Sequence, residues 1–148
     1  MKTAYRPLLA ASFVFFLSLL SCRKDSMNET GKAYFDIPFE LSIDKTVKVI
    51  KDSKEISISL ISVNDSRCPT NAVCIDIGRV IVQLRLSDNS GSEAFTELCL
   101  GRCNALDSDT KQVILSNISY SLKLIKVEPY PIINVSQEKK ALLLISRL

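Results

Sequence analysis

Apolar and polar residues alternate along much of this chain with a period of two, which is typical of strands that bury one face. The alternation is clearest in 55–60 and 79–87. The apolar side chains that it predicts to face a core are Ile56, Ile58, Leu60, Val80, Val82, Leu84 and Leu86. Further strands are predicted at 39–43, 46–50, 94–100, 113–115, 120–127 and 141–146.

Short polar segments rich in Asp, Asn, Ser and Gly separate these strands. Such residues favour turns, and the sequence predicts them at 44–45, 52–53, 88–91 and 107–109. No segment beyond the amino-terminal region has the length and period of a helix. Seven or eight short strands at this spacing predict an all-β fold, an antiparallel, immunoglobulin-like β-sandwich that forms a single domain over 35–148.

The first 21 residues have the pattern of a signal peptide. Lys2 and Arg6 precede an uncharged, mostly apolar stretch at 8–20, which is shorter than the roughly twenty residues that a membrane-spanning helix needs. Leu19-Leu20-Ser21-Cys22 then matches a lipobox, the sequence at which a bacterial lipoprotein precursor is lipidated and cleaved. We expect acyl chains such as palmitate on Cys22 to anchor the protein in a membrane, and 22–34 to form a flexible tether.

The mixed-charge residues that follow Cys22 resemble the tethers of lipoproteins that Bacteroidetes export to their surface. This resemblance implies a lipid-anchored protein of the bacterial outer membrane, with its domain in the periplasm or exposed at the surface. An oxidising compartment of this kind permits disulfides.

The chain lacks the residue types on which most catalytic sites depend. Histidine, the commonest general base and metal ligand, is absent, and no glycine-rich phosphate loop is present. Without Lys2 and Arg6 the chain has 17 basic and 16 acidic residues, so its near-neutral charge argues against nucleic-acid binding. We therefore expect no enzymatic activity, no cofactor and no metal. The alternative is a periplasmic hydrolase or small-ligand carrier that uses carboxylates, whose positions one sequence does not locate.

Four cysteines, Cys68, Cys74, Cys99 and Cys103, remain when Cys22 is set aside. An even number in an exported chain predicts two disulfides. Pairing of neighbours, Cys68 with Cys74 and Cys99 with Cys103, is favoured because turn-forming residues lie inside each loop. Crossed pairing would close longer loops and constrain the unfolded chain more, and a four-thiolate metal site is a further alternative.

The sequence Asp65-Ser66-Arg67-Cys68-Pro69, followed by Cys74, Gly78 and the distant Pro129-Tyr130-Pro131, resembles a group of small bacterial lipoproteins with an Asp-Ser-Arg-Cys-Pro signature. The resemblance extends from about residue 55 to the carboxyl terminus. It implies a β-sandwich-like fold and no particular activity. Asp76 lies where that group has an aromatic residue, and Cys99 and Cys103 are additions to its pattern.

Asp65 and Arg67 mark a candidate binding loop. An arginine held beside a rigid disulfide loop could present its fork of N–H groups to a carboxylate or phosphate. The favoured alternative is that Arg67 pairs with an acidic neighbour and fixes the loop. Similarly, Phe95, Tyr120 and Tyr130 could form a sugar-binding platform, although packing is the favoured role of each.

These observations predict a membrane-anchored envelope lipoprotein that acts as a non-enzymatic binding or structural module. Its lipid anchor is expected to contact the membrane, and its loops are expected to contact a protein or glycan partner.

Overall fold

The computed structural model of the protein describes residues 31–51 and 54–148. The predicted signal peptide, the lipid attachment site at Cys22 and most of the predicted tether therefore lie outside the described residues. The described residues form these strands: β1 (Gly31–Tyr34), β2 (Phe39–Ser42), β3 (Thr46–Lys51), β4 (Lys54–Asp65), β5 (Arg79–Asp88), β6 (Glu93–Gly101), β7 (Thr110–Leu115), β8 (Ile118–Glu128) and β9 (Lys140–Arg147).

The strands form two sheets that pack face to face, which confirms the predicted all-β sandwich. One sheet has the order β1-β3-β4-β5-β6 and the other the order β2-β9-β8-β7. Each sheet is therefore built mainly of consecutive antiparallel strands, and its order differs from the ABED and CFG sheets of an immunoglobulin constant domain. Within the described ranges, β1 and β3 are the parallel pair.

All eight predicted strands are present, and β1 is an additional strand that the sequence analysis assigns to the tether. Gly31–Tyr34 is only four residues long, and Ala33 is its buried side chain. Such a segment carries too little alternation to be recognised locally. Its strand conformation depends on pairing with β3, in which Gly31 lies opposite Val47.

The core lies between the two sheets, and the predicted inward faces are confirmed. Ile58, Leu60, Val82 and Leu84 are fully buried on the five-stranded sheet. The side chains that meet them from the other sheet include Leu122, Leu124, Leu143 and Ile145. Burial of each such aliphatic side chain contributes about 1.5–3 kcal/mol, which makes this core the main source of stability.

A β-bulge in β4 changes which side chains face outward. The register with β5 shifts between Leu60 and Ser62, so Ile61 is the extra residue. Leu60 is buried, whereas Ile61 is exposed and Ser62 bonds Gln83 on the outer face. Two consecutive residues, Ile61 and Ser62, therefore point away from the core, and an aliphatic side chain is added to the outer surface.

The connections between strands collect at two ends of the sandwich. At one end, which we call the stapled end, lie the loops 66–78, 102–109 and 129–139. They contact one another directly, since Arg102 N donates to Gly78 O at 2.9 Å and Thr70 N donates to Pro131 O at 3.0 Å. At the opposite end, which we call the turn end, lie the short turns 89–92 and 116–117.

Candidate binding surface at the stapled end

A buried ion pair lies at the base of loop 66–78. Asp65 is the last residue of β4, and Arg67 follows it two residues later. Arg67 Nε donates to Asp65 Oδ1 and Arg67 Nη2 donates to Asp65 Oδ2, each at 2.7 Å. The two side chains are only 8% and 6% exposed. This two-point contact therefore fixes the guanidinium in the plane of the carboxylate.

Loop 129–139 completes the surroundings of this pair. The Arg67 guanidinium carbon lies 4.0 Å from the centre of the Tyr130 ring, which is a cation–π contact. Lys139 Nζ lies 3.1 Å from Asp65 Oδ2 and donates to Pro129 O at 2.6 Å. Asp65 thus accepts from two cations on two loops, and it holds the loops together through charge-assisted hydrogen bonds.

The pKa values of the pair show that both groups stay charged. Burial by itself would raise the pKa of Asp65, but the hydrogen bonds from Arg67 and Lys139 outweigh burial and hold the pKa below 3.8. Burial would lower the pKa of Arg67, but the Asp65 carboxylate raises it. The ion pair is therefore present throughout the ordinary pH range.

The structure brings Asp65 and Arg67 together, as the favoured interpretation of the candidate binding loop requires. The Nε–Nη2 edge of Arg67 is occupied by Asp65, and one face of the guanidinium is covered by Tyr130. A fork with both of these N–H groups already engaged is not presented to an external carboxylate or phosphate. The pair therefore engages this edge of Arg67 and fixes the base of the loop.

Both disulfides join neighbouring cysteines. Cys68 bonds Cys74, and Cys99 bonds Cys103, with Cα atoms 5.9 and 6.0 Å apart. The predicted local pairing is confirmed. The crossed alternative and the four-thiolate metal site are contradicted, because every one of these sulfurs is used in a disulfide.

Two glycines allow the disulfide loops to approach each other. Gly78 has a φ of +68°, and a Cβ atom there would lie 2.0 Å from the carbonyl oxygen of Ser66. Gly101 has a φ of +98°, and a Cβ atom there would lie 2.6 Å from Gly78 O. Any larger residue would force these backbones apart, so glycine at both positions is a packing requirement.

Apolar side chains project from the tip of loop 66–78 into solvent. Val73 and Ile75 are fully exposed, and Ile77 is largely exposed. They alternate with Cys74, which is fixed by its disulfide, and with Asp76, which pairs with Arg102 at 3.0 Å. Further exposed apolar residues of the stapled end are Leu106, Ile133 and Val135. An apolar group of this kind on rigid loops is typical of an interaction surface.

These tip residues are not predicted from the sequence. Val73, Ile75 and Ile77 alternate with other residues in the manner of a short strand. What distinguishes this segment from a strand is the disulfide between Cys68 and Cys74, which closes it into a short loop. A loop closed over so few residues stays at the end of the sandwich, so its apolar side chains cannot reach the core.

The three aromatic residues of the suggested sugar platform are not brought together. Tyr120 is buried in the core, where its ring stacks on Phe35 with 5.8 Å between centroids. Tyr130 covers Arg67 at the stapled end. Phe95 lies on the outer face of the five-stranded sheet and is exposed. A joint platform of the three rings is therefore excluded.

Two clefts among the described residues each contain two carboxylates: one at the turn end contains Glu55 and Asp88, and the other contains Glu40 and Glu128. The cleft with Glu40 and Glu128 lies on the outer face of the four-stranded sheet beside Lys126 and Lys140, and Glu128 is ion-paired with Lys126 at 3.1 Å. Within 31–51 and 54–148 there is no group of three or more Cys, Asp or Glu side chains placed to hold a metal ion. The same ranges contain no helix with the length and apolarity to cross a membrane.

No known family, curated protein or solved structure significantly matches this chain.

Proposed function

We propose that this protein is an envelope lipoprotein, anchored through Cys22, that works as a non-enzymatic binding module and presents its stapled end to a partner protein. The observation that carries the proposal is the fully exposed Ile75 and Val73 on a loop that is fixed at several points. The anchor rests on the lipobox Leu19-Leu20-Ser21-Cys22.

The rigidity of the loop supports a binding role. A disulfide closes its tip, the Asp65–Arg67 pair fixes its base, and Asn71 Oδ1 accepts from Ile133 N at 2.9 Å on the adjacent loop. A segment that is already ordered loses little conformational entropy when it binds. Burial of the exposed side chains against a partner therefore increases the affinity, and little conformational entropy is lost.

Charge pairing at the stapled end indicates the chemistry of the partner. Besides the buried Asp65–Arg67 pair, Asp76 pairs with Arg102 at 3.0 Å and Arg79 with Asp107 at 3.8 Å. The charges of these three pairs are neutralised within the protein, which argues against attraction of phosphate backbones or anionic lipid. An apolar tip with balanced charges around it fits a protein surface with an apolar recess and a polar rim.

The alternative of a carboxylate-based hydrolase or ligand carrier has less support. The cleft that holds Glu40 and Glu128 lies on an outer sheet face, and two lysines line it together with the carboxylates. In the cleft that holds Glu55 and Asp88, Glu55 is paired with Lys48 at 2.7 Å, and hydrogen bonds lower the pKa of Asp88 to about 2. An acid–base pair needs a carboxylate whose environment favours the protonated form, which neighbouring cations oppose.

Photo-crosslinking in intact cells tests the proposed surface. A photo-reactive residue is placed at Ile75 or, as a matched control, at Ile114, which is 65% exposed on β7 near the turn end. We expect the variant at position 75 to yield a defined adduct with another protein, and the variant at 114 to yield none. Adducts of the protein with itself alone, or equal adducts at both positions, would contradict the proposal.

The anchor is tested separately. Cells are grown with labelled palmitate, and the wild type is compared with Cys22→Ser. We expect label on the wild type and none on the variant, because acylation requires the thiol of Cys22. An unlabelled wild type that retains its amino-terminal residues in mass spectrometry would contradict the lipoprotein assignment.

A further inference from the structure

The outer face of the five-stranded sheet carries a cleft whose lining includes no residue of the stapled end loops. Its volume is about 470 Å³. It is lined by residues of β4, β5 and β6, of which β6 is the edge strand of the sheet. Its lining residues on the outer face are Ile61, Gln83, Phe95 and Glu97. A volume of this size is within the range of small-molecule binding sites.

Two apolar side chains form walls of the cleft. Phe95 projects from β6 and is 68% exposed, and Ile61 projects from the bulge in β4 and is 41% exposed. Without the bulge, Ser62 would not share the outer face with Ile61. An exposed ring facing a cleft offers a flat apolar surface to the C–H face of a ligand ring.

A row of hydrogen-bonded side chains forms the polar part of the cleft. Ser62 Oγ donates to Gln83 Oε1 at 2.8 Å, and Gln83 Nε2 donates to Glu97 Oε1 at 2.6 Å. The three residues lie opposite one another on β4, β5 and β6, so the row crosses the sheet. These bonds fix the orientation of the Gln83 amide. One of its N–H groups and the second carboxylate oxygen of Glu97 are left to bind a ligand.

The charges near the cleft are largely engaged within the protein. Lys111, which also lines the cleft, donates its Nζ to the carbonyl oxygen of Leu106 at 2.9 Å. Arg85, the neighbour of Phe95 on β5, is paired with Glu93. The Glu97 carboxylate remains as an acceptor, which suits a ligand rich in hydroxyl donors and disfavours an anion.

We infer that this cleft is a binding site for a neutral saccharide. A pyranose ring lies with its C–H face on Phe95, its hydroxyls donate to Glu97, and a hydroxyl oxygen accepts from the free N–H of Gln83. Ile61 bounds the ring on the opposite side. The inference is independent of the proposed protein-binding role, because it uses none of the residues of the stapled end loops.

NMR titration of the folded domain tests this site. The probes are soluble neutral hexasaccharides of glucose, mannose, xylose or N-acetylglucosamine, added one at a time. We expect at least one of them to shift the amide signals of Ile61, Gln83, Phe95 and Glu97 selectively. Phe95→Ala and Glu97→Gln should each weaken that binding by about tenfold, because each removes one recognition element.

The matched controls are Ile114→Ala, an exposed aliphatic residue of the other sheet, and Ile75→Ala at the stapled end. Both should bind the saccharide as the wild type does, and amide signals remote from the cleft should be unchanged in every variant. The inference is overturned if none of the four hexasaccharides shifts the cleft signals, or if Phe95→Ala binds normally. It is also overturned if an uncharged peptide composed of Val and Thr shifts the amide signals of the cleft residues and the saccharides do not.

Discussion

At the turn end of the sandwich the turns 116–117 and 89–92 are two and four residues long, whereas at the stapled end the loops 102–109, 129–139 and 66–78 are eight, eleven and thirteen residues long. The short turns contain only Asn, Ser and Gly, and their polar groups bind one another. Asp88 accepts from Ser116 Oγ and Ser90 Oγ, both at 2.6 Å, and from the backbone N–H groups of Ser90 and Ser92. These bonds lower the pKa of Asp88 to about 2.

The stapled end uses stronger constraints to hold longer segments. It contains both disulfides, a buried ion pair and a cation–π contact, and yet it leaves Val73 and Ile75 fully exposed. The turn end shows that closing this sandwich requires only short polar turns. The long loops and their constraints therefore exceed what the fold needs, and we attribute them to the presentation of a surface.

The largest expected effect comes from removing the carboxylate on which the stapled end depends. Asp65→Ala leaves the buried Arg67 and the half-buried Lys139 without a counter-charge, and this should lower the free energy of unfolding by about 3–5 kcal/mol. Urea unfolding measures the loss. The matched variant at the turn end is Asp88→Ala, which removes a half-buried carboxylate that has no cation paired with it in the described part of the chain, and the loss of stability should be clearly smaller. Equal losses would show that the two ends do not differ in this way.

Glycine substitutions compare the backbones of the two ends. Gly78→Ala combines a strained φ with a Cβ that would meet Ser66 O at 2.0 Å, and we expect a loss of about 2–5 kcal/mol. Gly91→Ala in the turn end has a similar positive φ but nothing within 4 Å, so only the strain of about 1–2 kcal/mol remains. Thermal unfolding of both variants checks the order, and a larger loss for Gly91→Ala would contradict the described packing.

Removal of either disulfide should have an intermediate effect. The double variants Cys68→Ala/Cys74→Ala and Cys99→Ala/Cys103→Ala each open a short loop, for which the chain-entropy argument gives about 2 kcal/mol. In the first variant, amide exchange should increase in loop 66–78 and stay unchanged at Ser90 in the turn end. Increased exchange at both ends would indicate that the disulfide stabilises the whole sandwich and not the loop.

Acidification should produce the smallest effect. The pKa of Asp88 is about 2 in the folded protein, whereas its ordinary value is 3.8. The contribution of Asp88 to the free energy of unfolding is therefore complete above pH 3.8 and is lost as the pH falls towards 2. Ser116→Ala removes the strongest donor, so the NMR titration midpoint of Asp88 should rise. Asp76 at the stapled end, whose pKa is lowered mainly by the N–H of Gly78, should titrate as before. A parallel rise at Asp76 would contradict the separation of the two ends.

Strands β2 to β9 were predictable because each of them carries its own period-two signal. The buried face of β5, from Val80 to Leu86, follows directly from alternation in the sequence, and so does that of β4 from Ile56 to Leu60. The local pairing of the cysteines was also predictable, because turn-forming residues lie between the partners. Each of these features is determined by neighbours in the chain.

The candidate surfaces were only partly predictable. The pairing of Arg67 with an acidic neighbour could be anticipated from Asp65 two residues away. The contributions of Tyr130 and Lys139 could not, because they come from a loop more than sixty residues distant. Likewise, nothing local indicates that a bulge turns Ile61 outward beside Phe95.

By itself the sequence determined the all-β class, the inward faces of the strands and the two disulfides. It also contains the lipobox that predicts lipidation at Cys22. Only the tertiary structure decided that β1 joins the sheet, that the Asp65–Arg67 pair is buried beneath Tyr130, and that Ile75 is exposed to solvent. The physical reason is that strand periodicity, turn chemistry and short disulfide loops act between residues close in the chain. Burial, by contrast, is set by whichever distant segments pack against a side chain.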